Sequence, residues 1–136
     1  MTSRRASRRL AIDILYQADV TKADLARVQA DWIDVRGPID PFADELVEGV
    51  THHAAEIDAL LASRSEGWSV SRMAALDRTI LRVAVFELLH RHDVPPAVAI
   101  SEAVEAASTL SGDDARRFVN GVLGRIAGDL EARPAD

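Results

Sequence analysis

The residues best suited to chemistry stand in one run, Arg116, Arg117, Phe118, Val119, Asn120, Gly121, Val122 and Leu123, followed by Gly124. Two guanidinium groups can reach phosphates, the Phe118 ring can stack on a base, and Asn120 can hydrogen-bond a base edge or a neighbouring helix. A second cationic group opens the chain, where Arg4, Arg5, Arg8 and Arg9 are followed by Tyr16. Together the two segments point to single-stranded RNA as a ligand. Phe118 precedes the apolar Val119 stripe by one position, so two roles stay open for its ring: stacking on a base, or packing in the core.

Other candidate chemistry is weaker. His52 and His53 are adjacent, so on a helix they point about 100° apart and cannot chelate together. His90 and His92 straddle an expected helix end, and neither pair has the i, i+4 spacing of a helical zinc site. These histidines are expected to be exposed or locally hydrogen-bonded, and no metal or cofactor is expected. Asp44, Glu45 and Glu48 lie where carboxylates favour a helix N-terminus and read as a solvated face. No phosphate-cradling loop or nucleophile elbow is present, so no catalytic residue is assigned. Gly121, Gly124 and Gly128 are read as a notch that lets a neighbouring helix approach, because the GxxG clamp of KH domains needs strands that this chain lacks.

The elements that must position these residues are helices. The chain has 136 residues, 48% hydrophobic and 28% charged, without cysteine. That excludes disulfides, thiol catalysis and Cys-ligated zinc. No apolar run is long enough to cross a bilayer and no secretory signal follows the first arginines, which leads to a cytoplasmic location. The net charge of −6 conceals an arm: residues 1–9 hold four arginines and no acid, leaving a body with 12 basic against 22 acidic residues. An acidic body repels nucleic acid at long range, so RNA binding must be local to the arm and its neighbours.

The apolar spacing predicts an all-α compact bundle, one domain over residues 1–136, of about six to seven helices. The first runs over residues 4–20 with Leu10, Ile14 and Leu15 inward, and the second over 23–33, stopping before Gly37-Pro38. Asp40-Pro41 starts a third that continues to Ser63 and carries Phe42, Leu46, Val50, Ile57, Leu60 and Leu61. Beyond Glu66-Gly67-Trp68, Ser69 caps a turn leading into a central helix over 73–91. His92-Asp93-Val94-Pro95-Pro96 breaks that helix; Val98-Ala99-Ile100 is extended or a first turn, and Ser101 is the N-cap of the next. Ser111-Gly112 stops it, and Asp113-Asp114 starts the last helix, with Val119, Val122, Leu123, Ile126 and Leu130 inward.

These residues in this order resemble the NusB family of bacterial transcription antitermination factors. The resemblance rests on the Arg-rich first helix ending in Leu15-Tyr16, Leu76-Asp77-Arg78 with the run from Leu81 to Leu88, Asp93-Val94-Pro95 with Val98-Ala99-Ile100-Ser101-Glu102-Ala103, and Phe118-Val119-Asn120-Gly121-Val122-Leu123. It implies two three-helix sub-bundles with a connecting helix, and no enzymatic activity. It also implies binding of the boxA element of ribosomal RNA leader transcripts jointly with ribosomal protein NusE, other Nus factors and RNA polymerase being reached indirectly.

By position, the resemblance puts Arg5, Arg8, Tyr16, Asp114, Arg117 and Phe118 on the RNA surface, with Arg4, Arg9 and Asn120 beside them. It puts Asp77, Arg78, Glu87, Val94, Pro95, Ser101 and Glu102 toward NusE. Relatives include monomers and homodimers, so both remain open. Two other readings stand beside this one: a stand-alone NusB-like RNA-binding domain related to ribosomal RNA cytosine methyltransferases, and a helical adaptor that binds proteins only.

Overall fold

A computed structural model describes residues 3–65 and 67–132; Glu66 of the Glu66-Gly67-Trp68 turn lies outside them. Among the described residues seven α-helices follow one another: α1 (Arg4–Thr21), α2 (Leu25–Arg36), α3 (Pro41–His52), α4 (Ala54–Arg64), α5 (Ala75–His90), α6 (Pro96–Leu110) and α7 (Asp113–Ala132). A 3-10 turn, Val70–Arg72, precedes α5, and no strand occurs among the described residues.

The helix starts follow local chemistry. Ser3 Oγ accepts from the Ala6 N–H at 3.1 Å. Asp40 caps α3 by accepting from the Ala43 N–H at 3.1 Å and takes the Ser7 hydroxyl at 2.7 Å, so one carboxylate satisfies a helix end and ties it to α1. At the end of α6 the Gly112 N–H reaches back to the Ala107 carbonyl at 3.0 Å with φ +113, a conformation that glycine adopts without a Cβ penalty.

α5 is the central element. Thr79, Ile80, Leu81, Val83, Ala84, Val85, Phe86 and Glu87 are all buried along it. α1, α3, α4, α6 and α7 pack against it, while α2 rests on α1. One group of helices (α1, α2, α3) therefore meets a second (α5, α6, α7) across α5, and α4 bridges α3, α5 and α7.

Several expected boundaries move. α2 begins at Leu25, after Asp24 in the N-cap position, and runs to Arg36. The single helix expected over 41–63 is broken at His53, whose backbone (φ −104, ψ 21) leaves helical geometry; the bend sends α3 toward α1 and turns α4 toward α7. Met73 lies outside α5, and Ser69 opens the 3-10 turn without a side-chain cap. α6 starts at Pro96 with Pro95 in the N-cap position, so Val98-Ala99-Ile100 is helical and Ser101 is not a cap. Proline at the first helical position loses no needed donor, and that preference outweighs the Ser101 signal.

The glycine notch is also corrected. A Cβ at Gly124 or Gly128 would meet nothing within 4 Å, and one at Gly121 would touch only Arg125 at 3.5 Å. The close approach occurs instead at Gly49 on α3, where a Cβ would lie 2.2 Å from the buried Phe86 ring. Gly49→Ala is therefore expected to destabilise the fold by about 1–3 kcal/mol through overpacking. Gly124→Ala should stabilise it by up to about 1 kcal/mol through helix propensity. Denaturant unfolding of the two variants checks both signs.

Candidate nucleic-acid interface

On α1, Arg5, Arg9, Ile12 and Tyr16 follow the spacing i, i+4, i+7, i+11 and share one side of the helix. Arg5, Arg9 and Ile12 line a groove with Ile80 of α5 and Ala99, Glu102 and Ala106 of α6. Arg5 Nε and Nη2 donate to the two Glu102 carboxylate oxygens at 3.0 and 3.1 Å, which raises the Arg5 pKa. The Arg5 side chain nevertheless keeps 61% of its surface exposed. Tyr16, one turn before Asp19, is 38% exposed.

A chain of contacts joins this end of α1 to the start of α7. Arg78 Nη2 donates to Asp19 at 2.6 Å, and Nη1 donates to the Val70 and Met73 carbonyls, both at 3.2 Å. Just before Val70, the exposed Trp68 meets the Phe118 ring edge-on, with centroids 6.4 Å apart. Burial pushes the neighbouring Asp77 carboxyl above its ordinary range, and the Ser111 side chain nearby partly offsets this. The first turn of α5 thus anchors both the end of α1 and the corner from which α7 departs.

At that corner Arg116, Arg117, Asp114 and Asn120 are exposed. Phe118 packs against the core yet is only partly buried, so one part of the ring serves the fold while the rest is accessible beside Trp68. Arg117 and Asp114 are paired at 4.0 Å with both side chains in water, a contact too weak to hold either from a ligand. Arg4 is also at the surface, paired with Asp93 at 3.1 Å and lying 4.4 Å above the Phe42 ring. Bonds from Arg91 and Arg4 hold the Asp93 carboxyl at about 2.

Arg8 lies at the floor of the same groove with Glu87. It is 7% exposed and gives three hydrogen bonds, at 3.0, 3.0 and 2.7 Å, to Glu87, which is 1% exposed. Each neutralises the other's charge, so in this structure neither Arg8 nor Glu87 is free for the phosphate and partner contacts expected of them. Val94 is buried as well, and Asp77 and Arg78 are engaged within the fold. Of the residues expected to face a protein partner, Pro95 and Ser101 are exposed and Glu102 is half-buried against Arg5.

Sequence reading missed Trp68, although a tryptophan beside a glycine outside any helical pattern was a usable signal. It also missed Phe42 as a collector of cations, with the guanidinium groups of Arg4, Arg8 and Arg91 at 4.4, 5.3 and 5.1 Å from its ring. Those contacts come from three separate segments and have no sequence signature.

Fold and surface define a helical binding module with a cationic and aromatic rim. Comparison with known proteins makes this specific. The NusB family profile matches residues 5–128. The transcription antitermination protein NusB of Saccharopolyspora erythraea is 48% identical over 131 residues, covering 94% of this chain and 88% of that protein. Its counterpart in Rubrobacter xylanophilus is 49% identical over 121 residues, covering 89% and 87%. Among solved structures, T. maritima NusB superposes with a TM-score of 0.83 at 33% identity, over 94% of this chain and 92% of that one. A crystal structure of the antitermination factors NusB and NusE with double-stranded RNA shares the fold, with a TM-score of 0.82 at 24% identity over 93% and 96%. The chain belongs to the NusB family.

Because Arg8 is spent on Glu87, Arg8→Ala should cost about 3–5 kcal/mol of stability by leaving a buried carboxylate unpaired. Replacing both with apolar residues, Arg8→Met with Glu87→Leu, should cost less than the single change. Chemical denaturation of the variants is the check, and a stable Arg8→Ala protein that loses only RNA affinity would restore Arg8 to the surface.

Proposed function

We propose that this chain is a transcription antitermination factor that acts in the cytoplasm as one RNA-binding domain, engaging boxA-type single-stranded RNA of ribosomal RNA leader transcripts together with the ribosomal protein NusE. Convergence of the Tyr16 end of α1 and the Trp68–Phe118 pair at one end of the bundle carries this reading. Family membership agrees with it. Arg4, Arg5, Arg9 and Arg117 supply cations, Tyr16 and Phe118 supply rings, and Asp114 and Asn120 offer polar groups to base edges.

The partner surface is the start of α6, at Pro95, Ser101 and Glu102. Arg5 links the two functions: its bidentate bond to Glu102 must loosen before it can hold a phosphate. A basic protein docked beside Glu102 would take over that carboxylate and release Arg5, so RNA and partner bind cooperatively, with equal coupling in both directions. Other Nus factors and RNA polymerase are then reached through the assembled complex.

Fluorescence anisotropy with boxA RNA and a scrambled control tests the reading. Phe118→Ala should weaken binding by about 1–3 kcal/mol, the worth of a base–aromatic stack. Arg5→Ala should reduce the slope of log affinity against log salt by about 0.7. Equal affinity for both RNAs would favour a generic RNA module of the methyltransferase-related kind, and no RNA binding at all would favour a protein-only adaptor.

A further inference from the structure

The bend between α3 and α4 gathers side chains that are distant in sequence. His53 stands at the bend, Glu56 in the first turn of α4, and His90 closes α5. The His53 and His90 rings stack with centroids 3.8 Å apart and 20° between their planes, and both lie beside Phe86, at 6.0 and 5.6 Å. The Glu56 carboxylate comes within 2.7 Å of His90 Nε2 and 3.6 Å of His53 Nδ1. One ligand atom from each residue lies within 4.8 Å of the other two.

We propose that His53, Glu56 and His90 form a binding site for a divalent transition-metal ion of the zinc type. Tetrahedral coordination with metal–ligand bonds of about 2.0–2.1 Å sets neighbouring ligand atoms about 3.3 Å apart. The observed 2.7 and 3.6 Å, both to one Glu56 oxygen, bracket that edge, and the stacked imidazoles must turn apart for their in-plane nitrogen lone pairs to meet on one ion. Two imidazoles and one carboxylate suit zinc and its neighbours, whereas calcium and magnesium demand a larger set of oxygens.

Both imidazoles are 31% exposed, and packing on Phe86 keeps them together beside Glu56. The fourth position opens on a surface cleft lined by Glu45, Glu48, His52 and Arg91. Glu45 and Asp93 neutralise the Arg91 guanidinium there, which removes the nearest cation that would repel the ion. A bound metal would pin the first turn of α4 to the end of α5 across the helix break.

The test is calorimetric titration of zinc chloride into the full, untagged chain, with thermal melts in parallel. One zinc per chain is expected, with a rise in melting temperature that a chelator reverses. Glu56→Gln and His90→Gln should each weaken zinc binding at least about tenfold, while His52→Gln and His92→Gln leave it unchanged. Glu56 is at the surface, so its variant reports even if the His90 variant folds poorly. Failure of the folded chain to bind zinc, an affinity indifferent to Glu56→Gln, or a loss confined to His52→Gln or His92→Gln would each overturn the proposal.

Discussion

Two buried charges organise this molecule. Arg8 of α1 and Glu87 of α5 are joined by three hydrogen bonds in the core, and Phe42 of α3 lies against the same guanidinium. The pair is held at the crossing of α1, α3 and α5, so the angle at which α1 leaves the core is fixed by bond geometry as well as by apolar packing. Apolar residues of matching volume would serve stability at least as well. What the ion pair adds is direction: a planar guanidinium accepts a bidentate carboxylate in few orientations, and the face that α1 presents outward follows from that choice.

From this tie the surface chemistry follows by helical spacing. With Arg8 turned inward, Arg5 and Arg9 lie on the stripe beside α6, and Tyr16 continues it two turns further along α1. The first turn of α5 completes the arrangement, because Arg78 holds Asp19 and the 3-10 turn. An acidic chain thereby sets exposed arginines along the outward side of α1 and aromatic rings near its far end, where the proposed RNA contact is local despite the charge of the body.

Much of this was legible in the sequence, for identifiable reasons. The all-helical fold, the central place of α5 and the inward stripe of α7 follow from apolar periodicity, which local chemistry dictates. The position of Phe118 one residue off that stripe left its role open, and the structure makes the ring partly buried. The burial of Arg8 did not, because arginines 4, 5, 8 and 9 look alike until a carboxylate 79 residues away selects one of them. The α3–α4 break was hidden for a similar reason: residues 41–63 have continuous helical periodicity, and the bend is set by packing of Phe86 over Gly49 and of α4 on α7. The three glycines of α7 misled because close approach depends on which face a helix turns to its neighbour, and theirs is turned away.

In the proposed function, RNA rests on the outward stripe of α1 and the first turns of α7. Amide hydrogen exchange of the chain, with and without boxA RNA, tests it most directly. The account expects slowed exchange confined to residues 4–16, 67–70 and 113–120, with α2 and the body of α4 unchanged. Protection centred on α2 or α4, with none at the start of α7, would contradict it.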